Sequence, residues 1–99
     1  MIVISAVLQA RPGCESELEI ALRAMIPPVR RESGVVDYSL HRASDDAGCF
    51  FYYEKYRDQA ALDAHMATPY LKALLDKVPE ICAKAPVVEL YQPLASIHD

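Results

Sequence analysis

The segment Phe50–Tyr70 holds most of the side chains in this 99-residue chain that could do chemistry. It contains four of the six tyrosines, together with His65. A histidine with an unperturbed pKa of ~6.5 is mostly neutral near pH 7 and can act as a general base. Tyrosine rings can stack on a planar ligand or form hydrogen bonds to it. The segment therefore predicts an aromatic pocket for a small molecule, and the residues alone leave the identity of that molecule open.

The sequence around His65 is typical of two short helices. Asp58 is a good N-cap for the first helix, because its carboxylate can accept hydrogen bonds from free helical N–H groups. Leu62, His65 and Met66 follow at positions i, i+3 and i+4, so they share one face. Thr68-Pro69 predicts the start of the second helix, with proline at the first helical position. A histidine between two apolar neighbours can be a base in a pocket, or simply a structural residue.

Other candidate residues have simpler structural interpretations. We interpret Glu54, on an aromatic strand, as a buried hydrogen-bonding or dimer-contact residue rather than an acid catalyst. On composition alone, the tyrosines are better interpreted as ordinary core and interface residues. Cys14 begins a helix, where a thiolate is favoured, but it has no basic neighbour in the sequence. His41 and His98 lie apart, so no metal site is predicted, and the three glycines form no phosphate-binding loop.

The whole chain reads as a β-α-β-β-α-β sequence, with the last helix split in two. The predicted strands are Ile2–Ala10, Val35–Ala43, Phe50–Tyr56 and Val87–Gln92. The first helix is expected to start near Cys14, to be kinked or interrupted at Pro27–Pro28, to resume over Val29–Ser33 and to stop at Gly34. With right-handed crossovers, this order predicts an α+β fold, a ferredoxin-like sandwich, formed by residues 1–99 as a single domain.

The strands also predict a homodimer. Phe50, Tyr52 and Tyr56 point to one face of their strand, and Phe51 and Tyr53 point to the other, because side chains alternate. The helices of a ferredoxin-like fold cover only one face of the sheet. A second copy of the chain is the simplest cover for the other apolar face. We therefore expect two sheets packed face to face.

Composition narrows the possible partners and the location. The net charge is −4 and the basic residues are scattered, which argues against a nucleic-acid partner. No apolar run approaches the ~20 residues of a membrane span, and the first residues read as a strand rather than a signal peptide. The three cysteines are odd in number and widely spaced, so we expect no disulfide framework and a cytoplasmic location.

Three motifs together are similar to a known family. They are Glu54-Lys55-Tyr56-Arg57-Asp58, Ala61-Leu62-Asp63-Ala64-His65 and Thr68-Pro69-Tyr70. The turn Arg11–Glu15 and the strand entry Gly34–Tyr38 also fit. The chain resembles the antibiotic biosynthesis monooxygenase domain over nearly its whole length, in its quinol monooxygenase-like form. The resemblance implies a dimeric α/β-barrel. It also implies a cofactor-independent monooxygenase that acts on a quinol-like or polyphenolic substrate with molecular oxygen.

In such an enzyme the substrate does the redox work, because its deprotonated anion passes an electron to oxygen. On this interpretation His65 is the catalytic base. The expected substrate-binding residues are Tyr38, Arg42, Tyr52, Tyr56, Leu62, Met66 and Tyr70. Tyr56 takes the place of a tryptophan that is frequent in the family. Neither a metal nor another cofactor is expected.

Two other functions remain open. One is a binding or stress-associated module of the same fold, in which the pocket is present without turnover. The other is haem binding or degradation, but the haem-degrading members rely on an asparagine early in the first strand. This chain contains no asparagine, so we expect haem degradation less.

Overall fold

The computed structural model describes residues 1–99 and shows one four-stranded sheet with four helices. The strands are β1 (Ile2–Gln9), β2 (Val35–Arg42), β3 (Cys49–Tyr56) and β4 (Val87–Tyr91). The helices are α1 (Glu15–Arg23), α2 (Ile26–Arg30), α3 (Gln59–Met66) and α4 (Pro69–Ile81). The strand order is β2-β3-β1-β4 and every pairing is antiparallel. The predicted α+β ferredoxin-like fold is confirmed.

The strand β3 shows why the helices lie on one face of the sheet. Phe50, Tyr52 and Tyr56 are at most 2% exposed, whereas Phe51 and Tyr53 on the opposite face are only partly buried. The same alternation holds in β1, where the buried side chains belong to the face that packs against the helices. The strand pattern predicted from sequence is therefore correct, and the outer face of the sheet is left without a covering element in the single chain.

The first helical region differs from the prediction. We expected Pro27 and Pro28 to interrupt a helix that resumes at Val29 and reaches Ser33. Instead α1 ends at Arg23, and the two prolines lie in the first turn of the separate helix α2. Proline is tolerated there because the N–H groups of a first turn have no intrahelical acceptor.

Gly34 also differs from its expected role as a helix stop. Only Gly13 has a positive φ, so Gly34 does not form a left-handed helix cap. Gly34 is buried, and a Cβ built on it would lie 2.3 Å from the Cβ of Ala61. The residue is therefore needed for the close approach of α3 to the start of β2.

The predicted N-cap of α3 is confirmed, because the carboxylate of Asp58 accepts a hydrogen bond from the Ala61 N–H at 2.9 Å. Thr68 precedes α4 as expected, with Pro69 in the first turn. However, the Thr68 hydroxyl donates to the carbonyl of His65 at 2.8 Å rather than accepting from α4. Thr68 therefore joins the end of α3 to the start of α4.

Candidate active site

His65 is the centre of the candidate site. It lies on the inner face of α3, one turn after Ala61, and is only 2% exposed. The rings of Tyr38 and Tyr56 flank it, each with its centroid 5.4 Å from the centroid of the imidazole ring. The histidine is thus held between strands β2 and β3 and the helix that carries it.

Glu32 gives the imidazole a defined hydrogen-bonding partner. The Nδ1 atom of His65 lies 3.0 Å from Oε2 and 3.2 Å from Oε1 of Glu32. An ionised carboxylate can only accept, so the pair favours the neutral tautomer that carries its proton on Nδ1. The other ring nitrogen, Nε2, is then the atom that can accept a proton.

Tyr70 is the second hydrogen-bonding partner of Glu32. Its hydroxyl donates a short hydrogen bond to Oε2 of Glu32. Partial burial and the neighbouring carboxylate of Glu32 raise the pKa of Tyr70 to about 12, so the phenol stays protonated at neutral pH. The carboxylate of Glu32 is therefore bound from two directions, by Tyr70 and by His65.

A small cavity opens beside His65. Its volume is about 110 Å³, and it lies between the sheet and helices α3 and α4. Its apolar wall is formed by residues of β1 and α4: Ile4, Ala6, Leu8, Leu71, Leu74 and Leu75. The mouth is lined by Met66, Pro86 and Val88, of which Met66 and Val88 are more than half exposed. An apolar ligand could therefore enter without disturbing the buried core.

The polar side chains of the cavity belong to Tyr38, Tyr52, Glu54 and His65. Burial raises the pKa of the Tyr38 and Tyr52 phenols, so both remain neutral hydroxyl groups. The Tyr52 hydroxyl donates to the carbonyl of Leu22 at 2.5 Å, which fixes that ring against α1. The cavity thus combines a mainly apolar lining with a histidine, a carboxyl group and two phenols.

Glu54 and His65 are the two buried polar residues of the chain, and Glu54 is 6% exposed. It accepts a hydrogen bond from the Tyr56 hydroxyl at 2.5 Å. Burial raises the pKa of Glu54, an effect that the Tyr56 hydrogen bond and the nearby His65 partly offset. The expectation that Glu54 is a buried hydrogen-bonding residue is confirmed.

The structure brings some of the expected site residues together and separates others. Tyr38, Tyr52, His65 and Met66 line the cavity. Tyr56 packs against His65 but is fully enclosed, and Leu62 packs with Ile4 and Tyr56 in a separate small core. Tyr70 does not line the cavity, and its hydroxyl is linked to His65 through Glu32.

Arg42 lies away from this cavity. It pairs with Glu19 of α1 and lies over the ring of Phe50, with 5.3 Å between the guanidinium carbon and the ring centroid. It lines a separate, open hollow of about 350 Å³. Arg23 and Arg42 lower the pKa of the Glu19 carboxyl, chiefly through the hydrogen bond from Arg23.

Glu32 is a site residue that the sequence did not reveal. This residue follows α2 and is 33 positions away from His65, so no local spacing connects the two. No group of three histidine, cysteine or acidic side chains is placed to hold a metal ion. None of the helices has both the length and the apolar character that crossing a membrane requires.

Comparison with known proteins decides the family. The family model described as antibiotic biosynthesis monooxygenase matches residues 1–77. The chain belongs to this family. Among curated members, "Putative monooxygenase Rv0793" of Mycobacterium tuberculosis is 32% identical over 93 residues, which cover 94% of this chain and 91% of that protein.

Other similarities agree with this assignment. "Uncharacterized protein sll1783" of Synechocystis is 30% identical over 91 residues, but the chain, 92% of which is aligned, spans only 62% of that protein's length. The solved structure of Rv0793 superposes with a TM-score of 0.90 at 31% identity, covering 97% of both chains. The crystal structure of PA3566 from Pseudomonas aeruginosa gives 0.89 at 30% identity, covering 95% of this chain and 94% of that one. The antibiotic biosynthesis monooxygenase fold is therefore shared over nearly the entire chain.

Proposed function

We propose that this member of the antibiotic biosynthesis monooxygenase family oxygenates a small phenolic or quinol-like aromatic without metal or flavin. The observation that carries the proposal is the His65–Glu32 pair at the wall of a largely apolar cavity. A phenolic substrate needs an apolar slot, a neutral base and a means to hold that base in one tautomer. The cavity and the pair supply these three requirements.

In the proposed reaction, Nε2 of His65 takes the proton of a substrate hydroxyl. The resulting anion transfers one electron to molecular oxygen, and the substrate radical combines with superoxide to form a carbon–oxygen bond. Cleavage of the O–O bond leaves one oxygen atom on the ring and releases the other as water. For a quinol, the products are a hydroxyquinone and water, and all the electrons come from the substrate. His65 is the catalytic residue, and Glu32 positions it.

Each expected substrate-binding residue keeps a proposed role. Tyr38, Tyr52 and Met66 would contact the ligand directly. Tyr56 and Leu62 would support the ring of His65 and the helix α3 from behind. Arg42 would contact a ligand only if that ligand extended beyond the cavity, and Tyr70 would act through Glu32.

The test is oxygen uptake with a panel of reduced quinones and polyphenols, corrected for autoxidation. The wild type is compared with His65→Ala and with His98→Ala, a matched change in the exposed tail. Uptake above background that is lost only in His65→Ala supports the proposal. No uptake with any substrate, together with quenching of tyrosine fluorescence by the same aromatics, would favour a binding module instead.

We also propose that the chain forms a single domain that acts as a homodimer. The outer sheet face presents Val3, Val7, Phe51 and Tyr53, which are only partly buried in the single chain. Light scattering should give about twice the mass of the 11.0 kDa chain. Phe51→Asp should shift the mass to the monomer. Three unpaired cysteines fit the proposed cytoplasmic location, because thiols remain reduced there.

A further inference from the structure

Glu54 has no cationic partner. The ion pairs of the chain involve Arg23, Arg42, Arg57 and His65, and each has another carboxylate as its partner. Within the chain, Glu54 is bound only by the Tyr56 hydroxyl, which contacts Oε1 and leaves Oε2 without a partner. A carboxyl group that is 6% exposed, with one hydrogen bond and no cation beside it, is destabilised when it ionises, because burial removes most of its hydration.

Burial raises the pKa of Glu54, which favours the protonated form. A protonated carboxyl group can donate a hydrogen bond, which an ionised one cannot. A neutral acid in an apolar site can therefore bind an oxygen atom of a ligand as a donor. Glu54 and His65 thus offer complementary groups, a donor and a base.

The position of Glu54 places it at the same end of the cavity as His65. In the sheet, Glu54 pairs with Tyr38 of β2 and with Ile4 of β1. Tyr38 in turn lies with its ring centroid 5.4 Å from that of His65, and all four residues line the cavity. The remaining lining is mainly apolar. A ligand would therefore direct its oxygen atoms toward Glu54 and His65 and present carbon to the wall formed by β1 and α4.

The cavity volume limits the size of the ligand. An engineered protein cavity of ~150 Å³, lined by leucine, isoleucine and phenylalanine, binds benzene. The cavity beside His65 measures about 110 Å³ and opens at a mouth. It is smaller than that benzene-binding cavity, so it encloses at most one aromatic ring, and a substrate with two or three fused rings would project through the mouth.

We propose that Glu54 is a substrate-binding residue that selects single-ring dihydroxybenzenes, donating to one oxygen while the other hydroxyl lies at His65. This role rests on the proposed function, because the same cavity is taken to be the substrate site. Glu54 is the residue that recognises the second oxygen atom, and the cavity volume limits the substrate to one ring.

The test measures binding, so that it does not depend on turnover. Phenol, catechol and hydroquinone are titrated into the protein under anaerobic conditions by calorimetry. The wild type should bind catechol or hydroquinone about five- to tenfold more tightly than phenol, the gain expected from one added hydrogen bond. Glu54→Leu should lose this preference, whereas Glu54→Gln should retain it, because the amide still donates. Equal preference in wild type and Glu54→Leu, or no binding of any probe at millimolar concentration, would overturn the inference.

A second measurement is made on the wild type, with Glu54→Gln needed only for assignment, and it covers the case in which Glu54→Leu does not fold. The glutamate carboxyl groups are labelled with ¹³C, and the Glu54 resonance is assigned with Glu54→Gln. Catechol or hydroquinone should shift this resonance and phenol should not; an identical response to all three would contradict the proposal. Selective binding without oxygen uptake would contradict the monooxygenase proposal but support the role of Glu54. Oxygen uptake with no loss of selectivity in Glu54→Leu would support the monooxygenase proposal but contradict the role of Glu54.

Discussion

The contact between Gly34 and α3 makes a strong test of how the fold positions His65. In Gly34→Ala, the new Cβ would lie 2.3 Å from the Cβ of Ala61 and 3.2 Å from its Cα. Two carbon atoms in contact prefer a separation of about 3.5–4.0 Å. The backbone at Gly34 and helix α3 must therefore move apart by roughly 1.2 Å or more. Overpacking of this kind costs about 1–3 kcal/mol. The φ of Gly34 is not positive, so backbone strain adds nothing to this cost.

The displacement reaches the site because Ala61 and His65 lie one helical turn apart on α3. A misplacement of about 1 Å in a catalytic group can cost about 100-fold in rate. Gly34→Ala should therefore lower oxygen uptake far more than its loss of stability explains. The imidazole would also move relative to Glu32, from which it now lies 3.0 Å away.

A double-mutant cycle isolates the contact. Ala61→Gly alone should cost about 1 kcal/mol through helix propensity, and Ala64→Gly on the exposed side of α3 is its matched control. In the double variant Gly34→Ala, Ala61→Gly, only the 3.2 Å approach to the Cα remains, which a small adjustment relieves. The double variant should thus be at least about 1 kcal/mol more stable than the sum of the single changes predicts.

Urea unfolding at fixed protein concentration measures the cycle, since the m-value reports any change in the surface exposed. Additive free energies, or a Gly34→Ala variant as stable as the wild type, would refute the reasoning. Combining Gly34→Ala with Ala64→Gly should give no rescue. Rescue by that control would show a general effect on α3 rather than a specific contact.

Three further predictions concern charged groups. Glu32→Gln should reduce oxygen uptake by about 100-fold or more with the fold intact. An amide can donate a hydrogen bond to Nδ1 of His65, which favours the tautomer with its proton on Nε2. The equivalent change in a serine protease costs about 10⁴-fold in rate. A loss of less than twofold would contradict the role of Glu32. The cap hydrogen bond from Ala61 lowers the pKa of Asp58, so its stabilising effect is present above the unfolded pKa of ~3.9 and is lost as the pH falls through the folded value. Asp58→Ala should therefore lower the Tm at pH 7 but much less at pH 2, and an equal loss at both would exclude the cap. Burial raises the pKa of Glu54, so the fold loses stability as the pH rises above ~4.3, the pKa of glutamate in the unfolded chain. Glu54→Gln should therefore raise the Tm at pH 7 but not at pH 4.

Much of the fold could be predicted because its signals are local. Alternating burial along β3 follows directly from the order of its aromatic residues. Asp58 and Pro69 mark the starts of α3 and α4 by their own chemistry. The helix α2 was predicted incorrectly because a proline pair can either interrupt a helix or begin one, and only packing decides between them. For Gly34, the sequence could not show that Ala61 approaches within 2.3 Å of its missing Cβ.

The site was less predictable, because it is assembled from distant segments. Tyr38 and Arg42 share a strand face by alternation, yet four residues of strand span about 13 Å, more than a cavity of one ring can bridge. Tyr38 therefore reaches the cavity and Arg42 reaches the hollow beside Glu19. Glu32 carries no signal of its own, since glutamate before a glycine turn is ordinary surface sequence. Its role appears only when α2 and the start of β2 bring it to α3.

Gly34 and Glu54 are expected to affect stability and activity in different ways. Gly34 and Ala61 hold α3 by close apolar contact, and changes there should lower both stability and activity. Glu54 lies in the cavity, where an ionisable group without a cation weakens the fold. A residue that lowers stability while lining a cavity is expected where the fold is adapted to a ligand. Glu54→Leu should therefore raise stability at pH 7 and lower ligand selectivity together, whereas Glu54→Gln should raise stability and keep the selectivity. Loss of a purely structural carboxyl group would not affect selectivity.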